Sequence, residues 1–422
     1  MSGPSRPAAA ARRRKPPLTG IRVIEVGNFM AGPFCAMQLA DLGADVVKVE
    51  NPRGGDLVRQ TAPFIQGESS NFIRLNRNKR SLALDLKAPE GKEIFLALAA
   101  RADIVVENLR PGTMADLGLD YARLAEANPK LIYVAASGWG QDGPYAHLAG
   151  LDIMAQAMSG LMSITGEPGR PPVKAGVPLC DLVCALYGAL AAVAALEARR
   201  RTGRGQLIDV SLFESGVSLA VWEAGTYFAT GEVPRPHGSA HQNQAPYQAV
   251  RAADGYFTLG ATSNPHFAAL CRILGREAMI RDPRFADGNA RMANRPALIA
   301  EIESVTTIKP MAEWLAALER AGIPCAAIQS FDKVFSDPQL LARDFFPDAP
   351  HPRVGPVRQI ASAMRFSETP TRIDRAGPML GEHSREVLRE LGLAPERIDA
   401  LIEAKVAAAP ELAAVPEPAT AS

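Results

Sequence analysis

The chain lacks most of the short signatures that usually betray an activity. The turn after the first strand, GNFMAGPF, does not spell GxGxxG, so the backbone cradle for a nicotinamide or flavin dinucleotide is missing there. Neither GxxxxGK[ST] nor GxSxG occurs, which removes the strongest support for ATP-driven chemistry and for serine hydrolysis. Histidine is scarce, with 6 residues and no HExxH spacing, and the 5 cysteines (Cys35, Cys180, Cys184, Cys271, Cys325) include no CxxC pair. No metal site is expected, and the odd, scattered thiols point to a reducing compartment, read here as the cytoplasm. A formal net charge of +1 supplies no field for nucleic acid or an acidic membrane surface. No internal repeat is visible. The start, MSGPSRPAAAARRRKP, has no apolar h-region, so it is not a secretory signal. It reads as a disordered basic tail, an organelle transit peptide being the other reading. The Ala/Pro-rich C-terminus reads as a second disordered tail.

What is present is ordinary in bulk and patterned in detail. With 422 residues, 47% hydrophobic and 22% charged, the chain can bury a large core in more than one domain. Short apolar strands are predicted at 21–26, 44–50, 103–107, 131–136 and from Leu207. They alternate with helices at 34–42, 89–100 and 121–127, which argues for an α/β fold with a parallel sheet. Asp254-Gly255 between apolar residues signals a hairpin in a later, smaller unit. Helices are expected near 266–274, 312–321 and 384–391.

One acid stands out. Asp181 heads an uncharged run from Leu182 to Leu196. That run falls short of the roughly 20 apolar residues of a membrane span and reads as a helix buried in a soluble core. At the helix mouth, an acid would be held ionised by free N–H groups and the dipole. Taken alone, Asp181 is an N-cap or a functional acid. The turns after the strands hold KVENPRGGD, NRNKRS and VENLRPG. Arg53, Lys79, Arg80 and Arg110 in these turns are either phosphate ligands at the mouth of a sheet or solvated loop charges.

Taken together, these segments resemble family III CoA-transferases of the formyl-CoA and carnitine CoA-transferase type. The resemblance runs from about Gly20 to Leu393. It is carried by GIRVIEVGNFMAGPF, LGADVVKVENPRGGD, NRNKRSLALDLK, VENLRPG, SGWGQDGPY, TGRGQLIDVSLFES, APYQAV with ADGYF, and GEHSREVL. It implies a Rossmann-like large domain with a smaller inserted α+β domain, in an interlocked homodimer. The expected division is a basic tail at 1–16, the large domain at 17–225, a linker at 226–248 and the small domain at 249–335. A return to the large domain at 336–405 and a tail at 406–422 complete it. By resemblance Asp181 is the catalytic acid, transferring CoA from an acyl-CoA to a carboxylic acid through an aspartyl mixed anhydride and an aspartyl-CoA thioester. Backbone N–H groups at Met30 and Ala31 would support the oxyanion. The nucleotide end of CoA would lie near Asn51, Arg53, Lys79, Arg80, Asn108 and Arg110, with Trp139 along the channel. CoA thioester is a substrate in this reading, and no bound cofactor, metal, nucleic acid or membrane is implied.

The chain departs from formyl-CoA transferase at Met30, Asn51 and Asp116, and HGSAHQNQAPY replaces its glycine-rich loop. His241 and Gln242 there either close over the acyl group or belong to a plain polar linker. Glu382 and His383 are expected to cap the last helix. The alternative activity is an α-methylacyl-CoA racemase, a relative of the same fold that resembles this chain through GWGQDGP. A racemase needs two opposed proton carriers. Its histidine position falls on Leu151, which cannot move a proton, and His147 lies a turn away.

Overall fold

The computed structural model describes residues 14–410. The chain divides into two compact units. One comprises the described parts of 1–159, 176–220 and 341–422, and the other Gly160–Ala175 with Val221–Leu340.

The first unit is organised by a seven-stranded sheet. Six strands run parallel: β1 (Arg22–Val26), β2 (Asp45–Glu50), β3 (Lys79–Leu84), β4 (Ile104–Glu107), β5 (Ile132–Ser137) and β6 (Leu207–Ser211). Their spatial order is β3-β2-β1-β4-β5-β6, with the short strand Ala407–Ala408 antiparallel on the outer edge of β3. The period of 2 sorts the apolar residues onto two faces. Val23, Val46, Ile104, Val106 and Val134 meet Ala36, Leu39, Ala185 and Ala192 on one side. Ile24, Val47, Leu82, Val105 and Tyr133 meet Phe95, Leu124, Leu388 and Leu401 on the other. Helices cover both faces, which is why the strands read as nearly unbroken apolar runs.

The predicted strands are present, with ends shifted by a residue or two. Two strands of this sheet were not foreseen. β3 begins Lys-Arg, and NRNKRS reads as a loop, yet all of its residues are buried. Ala407–Ala408 lies in the expected C-terminal tail, where Ala407 pairs with Leu84. The rest of that tail from 411, and residues 1–13 of the basic tail, fall outside the described residues. His383 holds the N-cap position of the helix Ser384–Glu390, but neither it nor Glu382 gives that helix a side-chain capping hydrogen bond. Instead His383 Nδ1 accepts the Ser81 N–H at 3.3 Å and Glu382 accepts from Met379 N–H, pinning the helix start against β3.

Two helices meet one edge of this sheet. α1 (Ala31–Asp41) follows β1, and α3 (Leu179–Thr202), preceded by α2 (Asp152–Met158), leads into β6. Both α1 and α3 therefore begin at the C-terminal edge of the sheet, where doubly wound sheets bind ligands. They pack closely because Gly188 has no side chain. A Cβ there would stand 3.2 Å from Cys35 Sγ and from Val134 Cγ1. α3 is longer than the run from Leu182 to Leu196 and is not buried all round. Its sheet-facing side holds Ala185, Ala189 and Ala192, while Leu186, Tyr187, Leu190 and Val193 are exposed. By length and composition alone it is the one helix among the described residues apolar enough to cross a membrane.

The second unit has a three-stranded antiparallel sheet, Tyr247–Ala252, Gly255–Gly260 and Cys325–Ala327, whose first two strands form the hairpin foreseen at Asp254-Gly255. Phe257, Phe267, Phe285, Leu298 and Trp314 fill its core. Residues Val221–Thr230 form a helix, so the expected linker from 226 begins inside regular structure.

Candidate active site

Asp181 is the third residue of α3, not its cap. Pro178 holds the N-cap position and has no side-chain acceptor. Asp152 satisfies the helix start instead: its Oδ1 accepts Cys180 N–H at 2.9 Å and Asp181 N–H at 3.4 Å. The expectation that the helix mouth keeps Asp181 ionised is corrected here. Burial, and then the negative charge of Asp152, push the Asp181 carboxyl up to about 7. It is half-buried, and no cation among the described residues pairs with it. Beside it the Cys180 thiol is pushed up to about 11, chiefly by burial, so it stays neutral and is no competing nucleophile.

Across the same edge lies a cavity of about 380 Å³ at the ends of β1, β2 and β3. Val26, Val49, Leu84, Leu109 and Leu117 give it apolar walls; Asn28, Glu50, Asn51, Asp56, Asp85 and Lys87 give it polar ones. Asn51 also accepts the Arg53 N–H at 2.8 Å, closing a turn at the rim. Arg53 is exposed and reaches Asp85 at 3.3 Å. Arg110 is exposed and follows the wall residue Leu109.

The remaining candidates sit elsewhere. Asn108 braces the turn after β1, accepting Asn28 N–H at 3.0 Å and donating to Asn28 O at 2.8 Å. Gly27 and Gly32 are needed for that approach, since a Cβ would come within 2.7 and 2.8 Å of Asn108 Oδ1. Lys79 has no exposed surface. Its ammonium lies 2.6 Å from Glu25 Oε2 and donates to Pro33 O and Asn76 Oδ1. Burial, only partly offset by Glu25, brings it down to about 8. Arg80 is bound by Asp45, Glu386 and Glu390. Met30 and Ala31 stand at the start of α1, and neither N–H has a partner among the described residues. Trp139 packs edge-on against Tyr145 and Phe213, with its indole N–H buried and unpaired.

Beneath the turn lies an ion cluster that the sequence did not reveal. Lys48 bridges Glu25 at 2.6 Å and Asp56 at 2.9 Å and donates to Gly27 O. Asp56 accepts the N–H of Phe29, which holds a left-handed φ of 59°. Such a conformation costs a bulky residue about 1–2 kcal/mol, so the turn is held, not relaxed. Glu50 takes Arg59 in a two-point contact at 2.7 and 2.8 Å; burial would raise its carboxyl, but Arg59 overrides this and holds it at about 2.

A family model described as CoA-transferase family III matches residues 18–384. The chain belongs to CoA-transferase family III. The succinate–glutarate CoA-transferase of Agrobacterium fabrum is 42% identical over 386 residues, covering 90% of this chain and 96% of that protein. The mouse succinyl-CoA:glutarate CoA-transferase is 39% identical over 376 residues, covering 89% and 86%. The crystal structure of a CaiB/BaiF family protein from Brucella suis superposes with a TM-score of 0.83 at 40% identity, covering 90% of this chain and all of that one. As a family III CoA-transferase this enzyme takes a CoA thioester as substrate, and its named relatives act on carboxylic acids. The racemase alternative is not favoured: Leu151 is 63% exposed and offers no proton carrier, and the relatives are transferases.

The residue that sequence reasoning missed is Asp152. Its signal was readable. A helix that starts after a proline needs an acceptor for its free N–H groups from elsewhere in the chain. An aspartate in the segment before α3 was a candidate, but only its neighbour Leu151 was weighed.

Proposed function

We propose that this enzyme moves CoA from a dicarboxylic acyl-CoA, of the succinyl type, to a second dicarboxylic acid, with Asp181 as nucleophile. The observation that carries this reading is the unpaired Asp181 carboxylate at about 7, in the first turn of α3. A carboxylate so placed is basic enough to attack and is not quenched by a cation. The dicarboxylate preference rests on the names of the two relatives, which act on succinate or succinyl-CoA and glutarate.

An Asp181 oxygen attacks the thioester carbonyl. The C–S bond breaks, CoA leaves as thiolate with the electron pair, and a mixed anhydride remains. The thiolate attacks the aspartyl carbonyl and expels the donor acid, leaving an aspartyl-CoA thioester. The acceptor carboxylate attacks that carbonyl, releasing thiolate again, and the thiolate takes the new acyl group from the second anhydride. Asp181 is regenerated and no proton is consumed. N–H groups at Met30 and Ala31 would meet the oxyanion. The apolar walls of the cavity suit the adenine ring, with Asn51 at the rim and Arg53 and Arg110 toward the phosphates. Lys79, Arg80 and Asn108 hold the frame of this site in the reading, and Trp139 flanks it.

The same proposal makes the enzyme a homodimer. Exposed Leu186, Tyr187, Leu190 and Val193 on α3, joined by Val217 and Leu219 nearby in the same unit, form an apolar face of the kind that a second copy covers. Sedimentation of the full chain at micromolar concentration should give twice the 44.9 kDa mass; a stable monomer overturns this part.

The test of the chemistry is direct. Enzyme quenched with hydroxylamine during turnover of succinyl-CoA and glutarate should carry a hydroxamate at Asp181, found by peptide mass spectrometry. Asp181→Ala should bind CoA and lose transfer. Full transfer by that variant would overturn the assignment.

A further inference from the structure

The start of α3 has a second acid whose position is built from both sides. Asp152 opens α2, and its Oδ1 takes two N–H groups of α3, those of Cys180 and Asp181. Its Oδ2 accepts Gln156 Nε2 at 2.6 Å, one turn further along α2. Gln156 is 1% exposed, and its amide nitrogen also lies 3.5 Å from Val177 O, just before α3. Both oxygens of Asp152 are thus fixed, and the anion cannot turn away from Asp181.

The other titratable groups around Asp181 carry no charge toward it or are engaged elsewhere. Cys180 and Cys184 on α3 and Cys35 on α1 are thiols kept neutral by burial. Asp209 on β6 accepts Gln141 N–H at 2.9 Å, and Glu214, in the helix after β6, turns to Ser211 Oγ at 2.6 Å. Asp152 is the one charge that raises Asp181.

We propose that Asp152 is the positioning residue of this active site. It caps α3, fixes the backbone of the nucleophile, and holds beside Asp181 a negative charge whose repulsion ends when Asp181 is acylated. The proposal rests on the reading that Asp181 becomes acylated. Its physical content is a division of labour at one helix start. A helix N-terminus stabilises an anion. Here that anion is Asp152, so the field does not make Asp181 a weaker base. Free Asp181 is a carboxylate facing a carboxylate; the anhydride and the thioester at the same position are neutral. Losing the charge relieves the repulsion, so Asp152 favours the acylated enzyme over the free one.

The test is the pH dependence of transfer by the full-length enzyme. In the wild type the rate should rise with pH through about 7, as Asp181 loses its proton. D152N keeps an oxygen to cap the helix but removes the charge. Its acidic limb should move to lower pH by on the order of one unit, and its plateau rate should fall about tenfold. D152E restores the charge and should return the limb toward that of the wild type. D152S, whose hydroxyl also caps without charge, carries the same test should D152N fold poorly. A limb that stays in place in folded D152N or D152S overturns the proposal, because a merely structural role lowers the rate equally at every pH. Hydroxylamine trapping on the wild type separates the two readings. A label at Asp181 with an unmoved limb removes only the role of Asp152, whereas no label at Asp181 removes both.

Discussion

Two clusters of buried charge share the C-terminal edge of the sheet, and they are built on opposite rules. Under the turn after β1, every charge has an opposite partner: Lys48 with Glu25 and Asp56, Lys79 with Glu25, Arg59 with Glu50. At the start of α3, Asp152 lies beside Asp181 and no cation among the described residues pairs with Asp181. The first arrangement meets each charge with its opposite; Arg59 overrides burial and holds Glu50 at about 2, far from any working pH, while burial brings Lys79 down to about 8. The second leaves a carboxyl at about 7, able to gain and lose charge in use. Paired ions hold the turn after β1, while Asp181 at the start of α3 has no cation among the described residues. Perturbation alone therefore does not mark the reactive group; the sign of the neighbour does.

Variants that exchange the two roles should break this comparison. The largest effect is expected at Asp181. Asp181→Ala should reduce transfer about ten-thousand-fold or more. Above pH 7 its unfolding free energy in urea should hold or rise, by about 1 kcal/mol after discounting for partial exposure, because a disfavoured charge is gone. A strongly destabilised Asp181→Ala would place that acid among the framework ions. Lys79→Met should do the reverse. Stripping one partner from buried Glu25 costs about 3–5 kcal/mol, read in urea unfolding. A variant that unfolds like the wild type but binds CoA tenfold more weakly would return Lys79 to the ligand. The smallest effect is expected at Arg53, whose side chain is 79% exposed and whose one ion-pair partner among the described residues is Asp85. Arg53→Ala should leave stability unchanged and raise KM for acyl-CoA about threefold to tenfold at unchanged kcat.

The apolar alternation made most of the sheet legible, because burial on both faces leaves runs such as IRVIEV that read as nothing else. β3 escaped for the opposite reason. Its first two residues are cations, and only long-range partners make them compatible with burial: Glu25 from β1, Asp45 from β2, and Glu386 and Glu390 some three hundred residues on. No local pattern encodes such a pairing. The same gap explains the site. The prominence of Asp181 came from the uncharged run behind it. That its helix is capped by Asp152 depends on a contact between residues 29 positions apart. The phosphate role expected for the early loop cations treated all of them alike, while the fold separates exposed Arg53 and Arg110 from enclosed Lys79 and Arg80.

The join between β3 and the end of the chain has a consequence for synthesis. Ser81 and Ala83 take partners 300 and 301 residues later, at Gly381 and Ser384, and Ala83 pairs with Ala408 beyond them. At a translation speed of about 5–20 residues per second, a nascent chain carries β3 with an open flank for roughly 15–60 s before its neighbour emerges. Until then the ribosome-bound protein displays an unpaired strand edge that other polypeptides can join. Production of this enzyme should therefore respond more to elongation rate and chaperone supply than the stability of its finished fold would suggest.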